Sequence, residues 1–418
     1  MVLRVTIGGE AVTISLKPAA LSVMFGTEEV LAYDRGGRLY SWFVGGRTYR
    51  RGLDGSVLEK RPSGSAGFER RRLGPDEAGQ LLDAAAARIG AARDALKIHE
   101  EHEEHEDTRA RSDQGGGFTP SRPGDTVGRD DLLATMDRAA RFDGAAAARD
   151  RERFGRVYDP VGILPPDQYL ALVLQATEGC SFNTCTFCDF YRGRRYRVKP
   201  PEEFRAHARA VREFLGDSLA MRRSIFLGEA NAMAVPFARL HELMQIAQEE
   251  IGPLPMHAFL DAFTGHHKTV GELRALADLG LRRVSIGMES GHDPLLELVH
   301  KPSRAADVAA TVAALKRAGV GVSLIVLLGL GGDRFAAEHA ADSGRALAAL
   351  PLGHGDIIYF SELVEHADVP YREQARAAGI RPLTPEELRA QREAIVAALP
   401  ARPSGPSVAR YDIHEFIY

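Results

Sequence analysis

Hydrophobic and polar positions change rhythm twice along this chain. From Leu3 to Leu16 apolar residues alternate with polar ones (Val5, Ile7, then Val12, Ile14, Leu16) around Gly8-Gly9, and Tyr40 to Tyr49 does likewise around Gly45-Gly46. A period of two puts one set of side chains on one face of a strand, and Gly-Gly between alternating runs signals a hairpin. Residues 1–60 therefore read as a small antiparallel β unit. Pro75 to Ile98 reads as a helix, with Asp76 and Glu77 complementing the dipole of its first turn. The rhythm then stops. His99–Asp107 is an acidic run holding His99, His102 and His105, and Arg109 to Asp130 is glycine, proline, serine and charge with almost no core-forming residue. That is the composition of a linker. The three histidines are weak metal-ligand candidates, and a solvated helix end accounts for them better. Helical character returns over 131–156 (Leu132, Leu133, Met136, Phe142) and leads through Pro165-Pro166 into a different pattern.

From there the apolar runs are short and continuous rather than alternating. Tyr169–Ala176 reads as a buried strand, followed by runs at Ser224–Leu227, His257–Leu260, Arg283–Met288, Val320–Leu328 and Asp356–Leu363. Between them lie segments of helical spacing: Leu240, Leu243, Met244 and Ile251 before Gly252, Leu273 and Leu276 before Gly280, and Val308, Val312 and Leu315 before Gly319. A glycine just past the last periodic residue suits a left-handed helix cap. Strands alternating with helices predict parallel βαβ units, and six of them fit a partial barrel better than an eight-fold one. The predicted fold class is α/β, a partial (β/α)6 TIM-like barrel with a small β-rich N-terminal accessory region. Its divisions are 1–98 (hairpins plus helix), 99–130 (linker), 131–164 (helical lead-in), 165–400 (core) and 401–418 (tail). On this reading the N-terminal region is a separable module that covers the barrel mouth or recruits substrate.

Composition narrows the class. A net charge of −4 over 418 residues and a pI near 6.4 give no global pull toward nucleic acid or anionic membrane. No apolar run approaches the ~18 residues of a membrane span, and the N-terminus lacks a secretory pattern. One stretch departs from this balance. Tyr191 to Lys199 carries five basic residues among nine. Arginine forks bind carboxylate or phosphate, so an anionic or phosphorylated substrate, or a tRNA, is compatible with it. A solvated turn pairing with nearby acids is equally so.

The chain holds three cysteines, all within nine residues: Cys180, Cys185 and Cys188. An odd, crowded set in an otherwise cysteine-free chain argues against a disulfide framework. Three soft ligands on one loop suit an iron–sulfur cluster or zinc. Closed electron-transfer clusters use four thiolates, so three would leave one iron open to a small molecule. Free thiolates and an oxygen-sensitive cluster fit a reducing cytoplasm. In the zinc alternative, a structural or interaction protein, His257 or His266 completes the site.

The cysteine loop after the first strand, with the motifs that follow, resembles the radical S-adenosylmethionine (SAM) superfamily. Within it the chain looks most like the branch of elongator-type and oxygen-independent coproporphyrinogen-oxidase-type proteins. The resemblance implies that Cys180, Cys185 and Cys188 hold a [4Fe–4S] cluster whose fourth iron is chelated by SAM. Reductive cleavage of SAM then gives a 5′-deoxyadenosyl radical that abstracts hydrogen from a substrate. It implies that Phe187 lies near the adenine, that Gly228 and Glu229 receive the methionine amine, that Glu289 and Ser290 lie near the ribose, and that Leu328 and Gly329 pack along the adenine. An electron donor such as a flavodoxin or ferredoxin is implied as partner. Two departures stand out: four residues separate the first two cysteines where three are usual, and the amine motif has one glycine where two are common. With all cysteines committed, auxiliary clusters and cysteine-dependent methyl transfer are disfavoured. An RNA-modifying member of the superfamily is the alternative within enzymes.

Overall fold

The alternation at the N-terminus builds more sheet than expected. A computed structural model describes all residues except 65–66, 112–127, 266–267, 366–368 and 401–403, together with the backbone but not the side chains of 98–111 and 264–265. Eight strands follow one another: β1 (Val2–Ile7), β2 (Glu10–Leu16), β3 (Ala20–Phe25), β4 (Glu29–Asp34), β5 (Leu39–Val44), β6 (Arg47–Arg51), β7 (Val57–Ser63) and β8 (Gly67–Arg72). They form one antiparallel meander in chain order. Gly8-Gly9 and Gly45-Gly46 turn two of its corners with positive φ at both residues, as tight hairpins require. One sheet face is apolar. Val12, Ile14, Leu21, Val23, Leu31 and Trp42 are buried on it, against Leu82, Ala85, Ile89, Ala92 and Leu96 of helix α1 (Pro75–Arg111). That three-and-four spacing is the stripe a helix presents to a sheet.

Helices α2 (Arg129–Ala140) and α3 (Gly144–Val157) join the same core through Leu132, Met136, Ala139 and Ala147. The segment read as a lead-in to the barrel thus belongs to the sheet. Residues 1–160, 213–222 and 417–418 form one compact unit, and 161–212 with 223–416 form the other. These units cut the chain differently from the division read from composition. Helix α1 continues through the backbone of the acidic histidine run to Arg111, where glutamate and arginine favour helix and the first glycine comes only at Gly115. The side chains of His99, His102 and His105, and residues 112–127 of the expected linker, lie outside the described residues. A buried ion network ties the unit together. Arg38 Nε donates to both Asp150 oxygens (3.0 and 3.1 Å), and its Nη atoms donate to the Phe214 carbonyl (2.7 Å) and Ser218 Oγ (2.9 Å).

The second unit follows the predicted strands closely. They are β9 (Leu172–Gln175), a two-residue ladder β10 (Thr177–Glu178) with β11 (Arg197–Val198), then β12 (Ile225–Gly228), β13 (Met256–Leu260), β14 (Leu281–Glu289), β15 (Gly321–Leu328), β16 (Ile357–Glu362) and β17 (Ser407–Arg410). Seven strands make one all-parallel sheet, ordered β9-β12-β13-β14-β15-β16-β17. Helices α4 (Pro201–Leu215), α5 (Phe237–Ile251), α6 (Ala262–Gly265), α7 (Val270–Asp278), α8 (Asp293–Leu298), α9 (Ala305–Arg317), α10 (Gly332–Ala349), α11 (Pro370–Ala377) and α12 (Pro385–Ala397) lie between the strands in the chain. Strands buried on both faces read as unbroken apolar runs, which is why six were visible. The seventh, β17, lies in the stretch read as a tail. It is a short edge strand whose one large apolar residue is Val408, so it leaves no periodic signal. The result is a partial (β/α) barrel with one strand more than expected.

Candidate active site

The carboxyl ends of parallel strands are where such folds place their chemistry, and the cysteine loop leaves that end of β9. The β10–β11 ladder closes the loop at its base, where Glu178 pairs with Lys199 at 3.1 Å. Inside the loop Arg192 holds the turn by donating to the Cys188 carbonyl (2.8 Å) and the Cys185 carbonyl (3.1 Å). Asn183 Nδ2 donates to the Tyr191 carbonyl, and Thr186 N to the Val299 carbonyl. The three thiols line a single cavity of about 1070 Å³ counted with its open mouth, ample for a cofactor and a second reactant. Burial pushes the Cys185 and Cys188 thiols up to about 12 and raises Cys180 as well. Three desolvated thiols are poor solvent-exposed nucleophiles but good ligands for a cation that displaces their protons.

Phe187 and Glu289 stand in the same cavity. Glu289, at the end of β14, has a left-handed φ of 58°, and burial raises its carboxyl. Facing it is Lys301, which the sequence reading missed. Its ammonium is buried and donates to Asp261 Oδ1 (2.8 Å) and Glu289 Oε1 (3.5 Å), and the two carboxylates hold its pKa well above the ordinary lysine value despite burial. An ammonium has three donors, so two of them meet this acid pair. Asp261, also missed, directly follows β13. The available signal was positional: Glu229, Asp261 and Glu289 all sit at the ends of successive strands. The far wall is apolar, with Ile163, Phe259, Ile325, Tyr411 and Ile413.

The other expected cofactor contacts lie behind the cavity wall. The Glu229 carboxylate accepts from Gln175 Nε2 (2.9 Å), Arg194 Nη1 (3.0 Å) and the Gly179 N–H (2.7 Å), so it grips the residue that precedes Cys180. Gly228 carries the carbonyl that accepts from Thr177 Oγ1 (3.3 Å), and Ala230, one residue past Glu229, lines the cavity. Ser290 Oγ meets His339 Nδ1 at 2.7 Å and accepts from His292 N. Leu328 is buried, and Gly329 N donates to Gln391 Oε1 (2.9 Å), while Leu327 faces the cavity.

The basic run after the loop is largely occupied within the fold. Arg192 and Arg194 are bonded as described, and Arg197 pairs with Glu178 and Glu203. Four of its five cations are thereby engaged within the chain. His257 sits near the start of β13, four residues, about 13 Å of strand, before Asp261, and its electrostatic neighbours are Asp167 and Arg283. It does not complete a site with the thiols. His266 lies outside the described residues. Among the described residues no three His, Cys, Asp or Glu side chains converge as a single-ion site does.

Residues 174–342 match the family model described as the radical SAM superfamily. Those residues form a radical SAM domain. The domain is that of a superfamily of enzymes that use a [4Fe–4S] cluster and SAM. Solved structures with a similar arrangement include methylornithine synthase (17% identity, 63% of this chain and 75% of that one, TM-score 0.39) and coproporphyrinogen III oxidase from Escherichia coli, described as a radical SAM enzyme (13%, 54% and 51%, 0.40). A maturase of the [FeFe]-hydrogenase is a third (15%, 68% and 62%, 0.38). Similarities this low carry nothing about substrate. No curated protein matches the chain. Among the described residues no helix is long and apolar enough to cross a membrane.

Proposed function

We propose that Cys180, Cys185 and Cys188 are the protein ligands of the [4Fe–4S] cluster and that SAM occupies the cavity beside them. The observation that carries this is the convergence of all three thiols on one cavity at the strand carboxyl ends, opposite a buried ammonium and two carboxylates. The donor set fits the group: three soft thiolates, no fourth cysteine in the chain, and therefore one iron left for a chelating small molecule. When bound, the pair supplies one-electron reductive cleavage of SAM and a 5′-deoxyadenosyl radical able to take a hydrogen atom from substrate; an external reductant such as a flavodoxin or ferredoxin provides the electron.

The chain's own residues divide the remaining work. Arg192 and Glu229 hold the cysteine loop in shape through backbone atoms. Lys301 offers positive charge to the methionine carboxylate, and Asp261 and Glu289 hold that ammonium in place, Glu289 also standing where a ribose hydroxyl can donate to it. The Phe187 ring flanks the adenine. The apolar far wall excludes water from the radical and suits a substrate whose reacting carbon sits in an apolar part of the molecule. Anaerobic reconstitution tests the reading. About four irons per chain and 5′-deoxyadenosine release under a strong reductant are expected, both lost on alanine substitution of any of the three cysteines. One zinc per chain and no iron would overturn it.

A further inference from the structure

A buried histidine fastens two strands of the cavity wall to one helix. His339, on α10, is fully buried. Its Nε2 lies 3.1 Å from the Leu327 carbonyl on β15, and its Nδ1 lies 2.7 Å from Ser290 Oγ, just past β14. A carbonyl only accepts, so Nε2 carries the hydrogen, and in the neutral ring Nδ1 is then bare. Burial keeps the ring neutral, lowering its pKa to about 4. The serine completes the pattern. Its Oγ accepts from His292 N (3.0 Å), which leaves its own hydrogen to point at Nδ1. Ser343 Oγ, one turn along α10 and 3.0 Å from Nδ1, accepts from Gly291 N (2.8 Å). Asp342 beside it meets His292 Nδ1 at 2.7 Å. Gly291 itself lies so close to α10 that a Cβ would stand 2.5 Å from the Asp342 carbonyl oxygen.

What this attachment holds is a strained residue. In the β14–β15 ladder Gly287 stands opposite Ile325 and Glu289 opposite Val326, so β14 carries one extra residue there. A bulge of this kind re-aims a side chain. Glu289, immediately before Ser290, adopts a left-handed φ of 58°, which costs a non-glycine residue free energy and persists only where its neighbours enforce it. Its carboxylate lines the cavity and accepts from Lys301. Leu327, whose carbonyl His339 binds, lines it too. We propose that His339 is a positioning residue: acting through Ser290 and the Leu327 carbonyl, it holds Glu289 in the orientation that receives SAM. The inference rests on the reading that SAM occupies this cavity. Ser290 then serves as the link between the histidine and the carboxylate rather than as a contact of the cofactor.

The test is a thermodynamic cycle on the reconstituted full chain, with SAM affinity measured by equilibrium dialysis and iron content beside it. His339→Leu should keep its iron and bind SAM roughly tenfold more weakly. Glu289→Ala should weaken SAM binding at least as much. Adding His339→Leu to it should cost nothing further, because the histidine acts through that carboxylate. Ser290→Ala, a smaller change, should weaken SAM binding and likewise have no effect beyond that of Glu289→Ala. Ser224→Ala removes another buried serine bond, 2.8 Å to Gln168 beside the amino ends of β9 and β12. It should lower stability yet leave SAM affinity at the wild-type value. A crystal structure of His339→Leu should show Glu289 out of its left-handed φ and turned from Lys301. Wild-type SAM affinity in both His339→Leu and Ser290→Ala, full additivity with Glu289→Ala, an equal loss in Ser224→Ala, or an unmoved Glu289 would each overturn the proposal. A wild type with about four irons per chain but no SAM binding overturns the reading of the cavity instead, and the place of Glu289 in the His339→Leu crystal then decides the clamp.

Discussion

The two units hold their shape by opposite means. In the barrel the strands are buried on both faces and the polar chemistry gathers at one end, where Glu229, Asp261 and Glu289 close successive strands. In the N-terminal unit one sheet face makes the core against helix α1, and the deep polar group is a structural network around Arg38. A site at strand ends can be reworked residue by residue while the sheet persists. A buried ion network cannot, because removing one partner strands the rest in a low dielectric. The comparison teaches where each unit is sensitive: the barrel in its function, the N-terminal unit in its stability.

The harshest way to break that contrast is to cut between the units. A 161–418 fragment keeps every barrel strand and cysteine, but it deprives residues 213–222 of Arg38 and the rest of their unit. It is expected to be far less soluble than the full chain under the same conditions. A soluble fragment that assembles iron as the full chain does would show the barrel to be independent after all. Next in size is Arg38→Met, which leaves Asp150 buried with Arg51 as its remaining arginine partner. Breaking such a network costs about 3–5 kcal/mol, read by chemical denaturation. A loss under 1 kcal/mol would remove the network from its central place.

Within the barrel the contrast is functional. Lys301→Met should leave iron content near wild type and weaken SAM binding roughly ten- to a hundred-fold, the worth of a charged hydrogen bond at about 1.5–3 kcal/mol. Glu229→Gln should do the reverse, loosening the cluster loop at Gly179 so that iron is lost faster to a chelator while residual SAM affinity per cluster holds. Equal behaviour of the two variants would erase the distinction between a cofactor contact and a loop anchor. The smallest effect is on acid stability. Burial lowers His339 and His257 to about 4, so the unfolded chain binds more protons below its own pKa near 6.5. Stability is full above that value and falls as pH drops toward 4, by roughly 1 kcal/mol per histidine at pH 5.5. Denaturation midpoints at pH 7.5 and 5.5 measure it, and His339→Gln should flatten the slope.

Much of the barrel was legible because a doubly buried strand must be apolar throughout and a helix must stop at a residue that tolerates positive φ, as Gly252 and Gly319 do. The cysteine loop was legible because thiols have few other uses in such numbers. What stayed hidden depended on distant partners. Nothing near Lys301 in the sequence announces Asp261 forty residues earlier, and nothing in Glu229 says that its carboxylate turns toward Gly179. The arginines of 191–199 looked available for the same reason: their acids, Glu178, Glu203 and Glu229, come from other elements. Strands β7 and β8 were missed since charged residues stand on both faces of the pair and only Val57, Leu58 and Glu59 are buried.

Burial of the cysteine loop also bears on how the chain can be followed without its cofactors. A maleimide or haloacetamide reacts with the thiolate, and burial pushes Cys185 and Cys188 up to about 12 and raises Cys180. Labelling at neutral pH is therefore slow in the folded chain and fast once the loop opens. With all three cysteines in that one loop, the rate of adduct formation reads local opening there and nowhere else.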